Sequence, residues 1–435
     1  MPFAFTPHRL RPTLALAAAL LLWTGCDSSE PNFETPDFDR VNENVVPAFD
    51  RGGNQVGEIS LTRLFAEPTQ QELDAALASV SGRDHGVYDY ELVASAPTAL
   101  GTMYVVSHTV RAAAGTTFPT HYGAIHVPNG PDGQPRENLP VVVYNHGDDN
   151  GVEAARPFVV FELVNLDGSP NPNVDPTVAG FVASTVMVIP SFRSEELRTV
   201  GLPGLGQAYT STGSPSPWDY DVDDALTLLN VALQEFDDAT DEERIGTVGL
   251  SRGAAVSMLM AARDERVDVV TEFFGPTDFL EDTFLILTQA LLGGEAGSTG
   301  QQAQTTALGL PGADFILDEL LLPLSQAGPN QIAYARARQA VLFRSAAYYT
   351  ERMPNLQVHH HVQDPIVFYP QAEALEAQAL AQPNMGAFDY NEYTNALPAN
   401  VSSFHRPAAL LTGPEVAAPA IPATAAFHFQ YLIGN

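Results

Sequence analysis

Lysine does not occur in this chain of 435 residues. All 20 basic side chains are arginines, set against 52 acidic ones, and the formal net charge is −32. A surface this negative repels a phosphate backbone, which excludes nucleic acid as a partner. Cysteine is almost as scarce: with Cys26 alone, no disulfide can form within the chain. No repeat of propeller or solenoid length is present. What is present in ordinary measure is apolar content, 45% of residues, so the chain can bury a large core. The acid excess points to adaptation to a salty medium, where a hydrated carboxylate surface keeps a protein dissolved. Activity is then expected to hold or rise in molar salt.

The first 25 residues read as an address. "HRLRP" supplies positive charge, and the apolar run Thr13 to Trp23 is too short for a permanent span. It ends in "LLWTGC", with Thr24 and Gly25 before Cys26. The pattern resembles a bacterial lipoprotein signal, which implies export, lipidation of Cys26 and a membrane anchor. Residues 27 to 58, rich in Asp, Asn, Pro and Ser, read as a flexible acidic tether.

Beyond the tether, Thr69 and Glu72 have capping-box spacing ahead of "LDAALASV", which predicts a helix. Strand-like runs follow in "VYDYELVA", "GTMYVVSHTV" and "HYGAIHVP". From residue 140 apolar strands alternate with helices: "LPVVVYNHG", "ASTVMVIPSFR", the helix "DYDVDDALTLLNVALQEF", "RIGTVGL", the helix "RGAAVSMLMAAR", "VDVVTEFFG", "LQVHHHV", the helix "PQAEALEAQAL", and "GAFDYNEYT". That alternation predicts an α/β domain over 59–435, with a mostly parallel sheet of about eight strands and helices on both faces. The interval 281–340 is too long for a plain crossover and is expected to form a helical cap over the C-terminal edge of the sheet, where open α/β sheets bind ligands.

"VGLSRGAA" holds Gly249, Ser251 and Gly253 in a G-x-S-x-G pattern between a strand and a helix. Such a turn lifts a serine hydroxyl clear of the sheet and aims a helix N-terminus at it, and side chains two residues to either side would collide. A serine needs a base, and the base needs a carboxylate to hold its tautomer. In chain order the acid comes next, with Asp278 and Asp364 both following strands, and then a histidine, His405 or His428. Asp364 with His405, the histidine in a loop, is the favoured pair. An alternative uses "VHHHVQD" as a metal site, since strand alternation puts His359 and His361 on one face, but a third ligand at recognisable spacing is missing and no metal is expected. A third reading is a binding protein on a retired hydrolase fold, though no triad candidate has been lost.

Taken together, "VVVYNHG", "IPSFR", "SPWDYDVDDAL", "IGTVGLSRGAA", "FFGPTDF", "LFRSAAYYTERMPNLQVHHHVQDPIVFYPQAEAL" and a late histidine resemble, from residue 85 onward, the α/β-hydrolase superfamily, and within it the catalytic domain of the prolyl oligopeptidase and dienelactone hydrolase-like group. The resemblance implies Ser251 as nucleophile, Asp364 rather than Asp278 as the acid, and His405 as the base. It implies an oxyanion hole from the Arg252 N–H and one in the turn after "NHG", Asp148, with Tyr144 a further candidate. No cofactor is implied. The roughly hundred residues between the signal and "VVVYNHG" are too few for a propeller, which favours a small carboxylic ester over a short peptide as substrate.

Overall fold

The computed structural model describes residues 45–49, 55–111, 117–147, 151–163, 171–281, 320, 331–383, 385–396, 405–407, 410 and 419–433. Strands β1 (Val45–Phe49) and β2 (Gln55–Ser60) pair antiparallel. The expected tether therefore contains a hairpin at its C-terminal end, where "VV" and "QVGEI" bring β-branched residues that favour extended backbone. Helix α1 (Gln70–Ser81) opens on the predicted capping box. Thr69 Oγ1 accepts from the Glu72 N–H and the Glu72 carboxylate accepts from the Thr69 N–H.

Among the described residues the main sheet has nine strands: β3 (Tyr88–Pro97), β4 (Gly101–Arg111), β5 (Thr117–Pro128), β6 (Leu139–Asn145), β8 (Val186–Pro190), β11 (Thr240–Leu250), β12 (Val267–Phe273), β13 (Asn355–His361) and β14 (Ala387–Tyr393). Their order is β14-β13-β12-β11-β6-β8-β5-β4-β3. From β14 to β8 every pairing is parallel, and β5, β4 and β3 complete the sheet antiparallel. The two-residue β7 (Val152–Glu153), with β9 (Glu196–Arg198) and β10 (Ala208–Thr210), makes a separate small sheet.

Alternation along the parallel strands sends side chains to two cores. Val141 and Val143 join one with α1, α3 (Tyr220–Glu235), α4 (Arg252–Arg263) and α5 (Gln331–Leu342); Val142 and Tyr144 join the other with α2 (Pro176–Val182) and α7 (Ala420–His428). Helix α6 (Pro370–Leu380) follows β13 and sets Leu375 into the first core. Of the expected cap, residues 282–319 and 321–330 lie outside the described residues. Its last stretch is helix α5, which docks on α1: the Arg338 guanidinium reaches the Glu72 carboxylate and the carbonyls of Leu64 and Ala66.

Helix α3 shows the apolar stripe of Val222, Leu226 and Leu229, all buried, but Asp221, Asp223 and Asp224 on the same helix are buried too. Arginines account for this. Arg83 bonds Asp219 and Asp223, Arg193 bonds Asp224, and Arg252 holds Asp221 through two nitrogens at 2.7 Å. Guanidinium suits this role, being weakly hydrated and shaped for a bidentate carboxylate.

Candidate active site

Strand β11 ends at Leu250, and Ser251 turns the chain into α4 with φ 53° and ψ −120°. That left-handed conformation is strained for a residue with a side chain. Its neighbours leave no alternative. A Cβ on Gly249 would lie 2.1 Å from the Gly253 carbonyl oxygen, and one on Gly253 would lie 2.2 Å from that of Asn145. The Ser251 N–H donates to the Phe273 carbonyl at 2.9 Å, which ties the turn to the end of β12.

Asp364 follows β13 by three residues and sits at the same edge. One carboxylate oxygen accepts the N–H groups of Ile366 and Val367, at 2.8 and 3.1 Å. The other meets His405 Nδ1 at 2.7 Å, with Asp364 buried and the histidine only partly so. The His405 ring packs against Phe274, centroids 4.3 Å apart. Phe274 directly follows the residue that accepts from Ser251, so the last residue of β12 and the one after it contact the nucleophile candidate and the histidine in turn.

The strand order, a parallel run from β14 to β8 continued by antiparallel pairings through β5, β4 and β3, and a strained serine between β11 and α4 decide the architecture. The fold is that of the α/β-hydrolases. No protein-family model matches the chain, and no curated protein does. Solved structures overlap it loosely. Acetyl xylan esterase 1 from a Thermoanaerobacterium species is 14% identical with a TM-score of 0.43, covering 79% of this chain and 95% of that one. The rice cell wall degrading esterase of Xanthomonas oryzae is 14% identical at 0.42, covering 72% and 92%. A puromycin-hydrolyzing peptidase of Mycobacterium tuberculosis is 16% identical at 0.45, covering 77% of this chain and 40% of that one. At these TM-scores the overlaps add nothing to what the strand order and the elbow show.

Within the α/β-hydrolase frame the remaining candidates fall elsewhere. His428 lies on α7, fully buried, its Nε2 beside Thr271 Oγ1 at 3.2 Å, and burial pushes its pKa down to about 3. Asp278 is held in its own turn, accepting from the Leu280 N–H while its N–H donates to Gln371; burial raises its pKa to about 6. Arg252 is the first residue of α4, so its N–H belongs to the helix N-terminus beside Ser251. Tyr144, by contrast, lies within β6 with its side chain in the second core, where burial pushes its pKa up to about 12. Asp148 and Cys26 lie outside the described residues.

The histidine run is accounted for by packing. His359 pairs through Nδ1 with the Tyr393 hydroxyl and through Nε2 with that of Thr424, and it stacks on Phe273. His361 pairs with the Asn395 carbonyl and accepts the Gln363 N–H. His360 contacts the Val367 carbonyl at 2.9 Å, bracing the loop that holds Asp364. Among the described residues no group of three His, Cys, Asp or Glu side chains could hold a metal ion.

Two features escaped the sequence reading. Glu272, on β12, is fully buried; burial foremost, with the Asp364 charge adding to it, raises its pKa to about 8, and it accepts the Gly275 N–H at 2.8 Å. Glu195 is buried beside Arg252. Neither lies in a recognisable motif; the signal was no more than an acidic residue within a mostly apolar strand, "VDVVTEFF", and another after "IPSFR".

Proposed function

We propose that this protein is a serine hydrolase that cleaves carboxylic esters through an acyl-enzyme. The observation that carries the reading is the convergence on one sheet edge of a serine in a strained turn and an Asp364–His405 pair at 2.7 Å. Ser251 Oγ attacks the acyl carbon while His405 takes its proton. With Nδ1 turned to Asp364, the ring offers Nε2 for that transfer, and the carboxylate stabilises the imidazolium that results. The oxyanion develops against the N-terminus of α4, with the Arg252 N–H and a second donor from the turn after Asn145, assigned to Asp148. His405 then returns the proton to the departing alcohol, and water repeats the sequence on the acyl-enzyme. No cofactor takes part.

Esters are favoured over peptides as the substrate; between β1 and β5 the described residues form the hairpin, α1 and strands of the sheet. A fluorophosphonate probe should label the protein and p-nitrophenyl esters should be turned over, and Ser251→Ala should abolish both. Turnover that survives this substitution would refute the assignment. Short peptides and acetylated sugars assayed alongside identify the substrate class. For location we propose export and a lipid anchor at Cys26; labelled fatty acid should be incorporated and Cys26→Ser should release the protein from the membrane.

A further inference from the structure

Arg252 supplies more than a backbone N–H. Its guanidinium is folded under the elbow, held at 2.7 Å by both oxygens of Asp221 and at 2.5 Å by Glu195 Oε1. The second oxygen of Glu195 faces His146 Nε2 at 3.4 Å. His146 opens the turn after β6, and its Nδ1 lies 2.8 Å from the Gly147 carbonyl oxygen. That turn presses on the nucleophile: a Cβ on Gly147 would come within 2.9 Å of Ser251 Cβ. Phe192 closes the arrangement, with the His146 ring stacked on it at 4.5 Å and the Arg252 guanidinium 5.0 Å from its centroid. Glu195, His146 and Arg252 are each at most 6% exposed.

We infer that Glu195 is a positioning residue for the oxyanion hole. It rests on the hydrolase reading above, in which one oxyanion donor follows Ser251 and the other lies in the turn after Asn145. These two segments follow neighbouring strands whose pairing ends at Asn145 and Gly249, so the sheet's own hydrogen bonding stops short of the residues that turn away from it. One buried carboxylate touches a side chain from each, so it sets the spacing of their N–H groups. An oxyanion hole acts only when its donors are held in place before the charge develops, and a misplacement well under 1 Å weakens both bonds at once.

The test compares Glu195→Met, which keeps the length and removes the acceptors, with Glu195→Gln, which can still bridge Arg252 and His146. Glu195→Met should lower kcat for a p-nitrophenyl ester by about 10- to 100-fold with KM nearly unchanged. Affinity for a trifluoromethyl ketone, which forms a tetrahedral adduct on the serine, should fall by the same factor. Glu195→Gln should recover most of both losses. A raised KM at unchanged kcat, analogue affinity that stays intact while kcat falls, or equal losses in the two variants would overturn the inference. His146→Gln leaves the Arg252 ion pairs in place and carries the same measurement should Glu195→Met fail to fold. Where Glu195→Met folds, combining it with His146→Gln should cost no more than the larger single loss, and additive losses would overturn the inference. Activity that survives Ser251→Ala would instead refute the hydrolase reading and leave the clamp aside.

Discussion

Mild acid should unfold this protein steeply, and the reason is its buried histidines. Burial pushes His108, His359 and His428 down to about 3, and His126 and His360 down to about 4. A histidine depressed in the folded state contributes stability that is present above its unfolded pKa, near 6.5, and is lost as pH falls. At pH 5 the unfolded chain carries nearly five protons on these side chains and the folded chain almost none. Of the carboxyls that oppose this, Glu272 and Asp278 hold their protons in the fold up to about 8 and about 6. Their contribution runs the other way and removes fewer than two protons from the difference. About three remain, and each is worth about 1.4 kcal/mol per pH unit, so stability should fall by about 4 kcal/mol per unit near pH 5. Between pH 6.5 and 5 the loss reaches about 5 kcal/mol, comparable to the whole stability of an ordinary domain. Urea midpoints at pH 7.5, 6.5, 5.5 and 5, followed by circular dichroism, measure it. His428→Gln should flatten the slope by about 1.4 kcal/mol per unit. A midpoint that is level or rising from pH 6.5 to 5 would refute the reasoning.

Asp364→Asn should keep the fold and lower kcat by about 10⁴-fold, because the amide cannot hold the tautomer that His405 needs; single-turnover assays check it. Gly253→Ala should cost more than about 3 kcal/mol or prevent folding, since its Cβ would meet the Asn145 carbonyl at 2.2 Å; soluble yield and thermal midpoint report it. Glu272→Gln should stabilise at neutral pH by about 2–3 kcal/mol and do nothing at pH 4, because a carboxyl raised in the fold weakens it only as pH rises above its unfolded value; parallel urea titrations at the two pH values decide. Ester turnover measured from low salt to molar salt should hold or rise, given the net charge of −32.

Which parts of this architecture could be read from residues follows from how local each signal is. The capping box at Thr69, the switch to apolar runs after residue 140, and the glycines around Ser251 are local, and each recurs in the structure as a cap, a parallel strand or a steric contact. The pairing of Asp364 with His405 is not local: 41 residues separate them, and chain order narrowed the choice without fixing it. The hairpin at β1 and β2 was hidden by its polar surroundings, since "DRGGN" between the strands reads like more tether. The histidine run is ambiguous in a different way. Three imidazoles in sequence look like ligands, but on a buried strand alternation sends them to two faces, where tyrosine, threonine and backbone groups meet most of their nitrogens.

The buried charges were the least legible feature, and they explain the absence of lysine better inside the molecule than on its surface. Helix α3 packs against α4, and the contact carries Asp219, Asp221, Asp223 and Asp224 into the interior. A desolvated carboxylate of this kind is tolerable only with a geometrically matched partner, because the attraction must offset several kcal/mol of lost hydration per ion. An ammonium group offers one point of charge and holds its water tightly. A guanidinium can satisfy two acceptors at once, as Arg252 does with Asp221 and Glu195, and Arg83 with Asp219 and Asp223. Salt in the medium screens such desolvated pairs much less than exposed ones. The same chemistry that fastens α4 beneath Ser251 therefore keeps working in brine, where surface ion pairs contribute little.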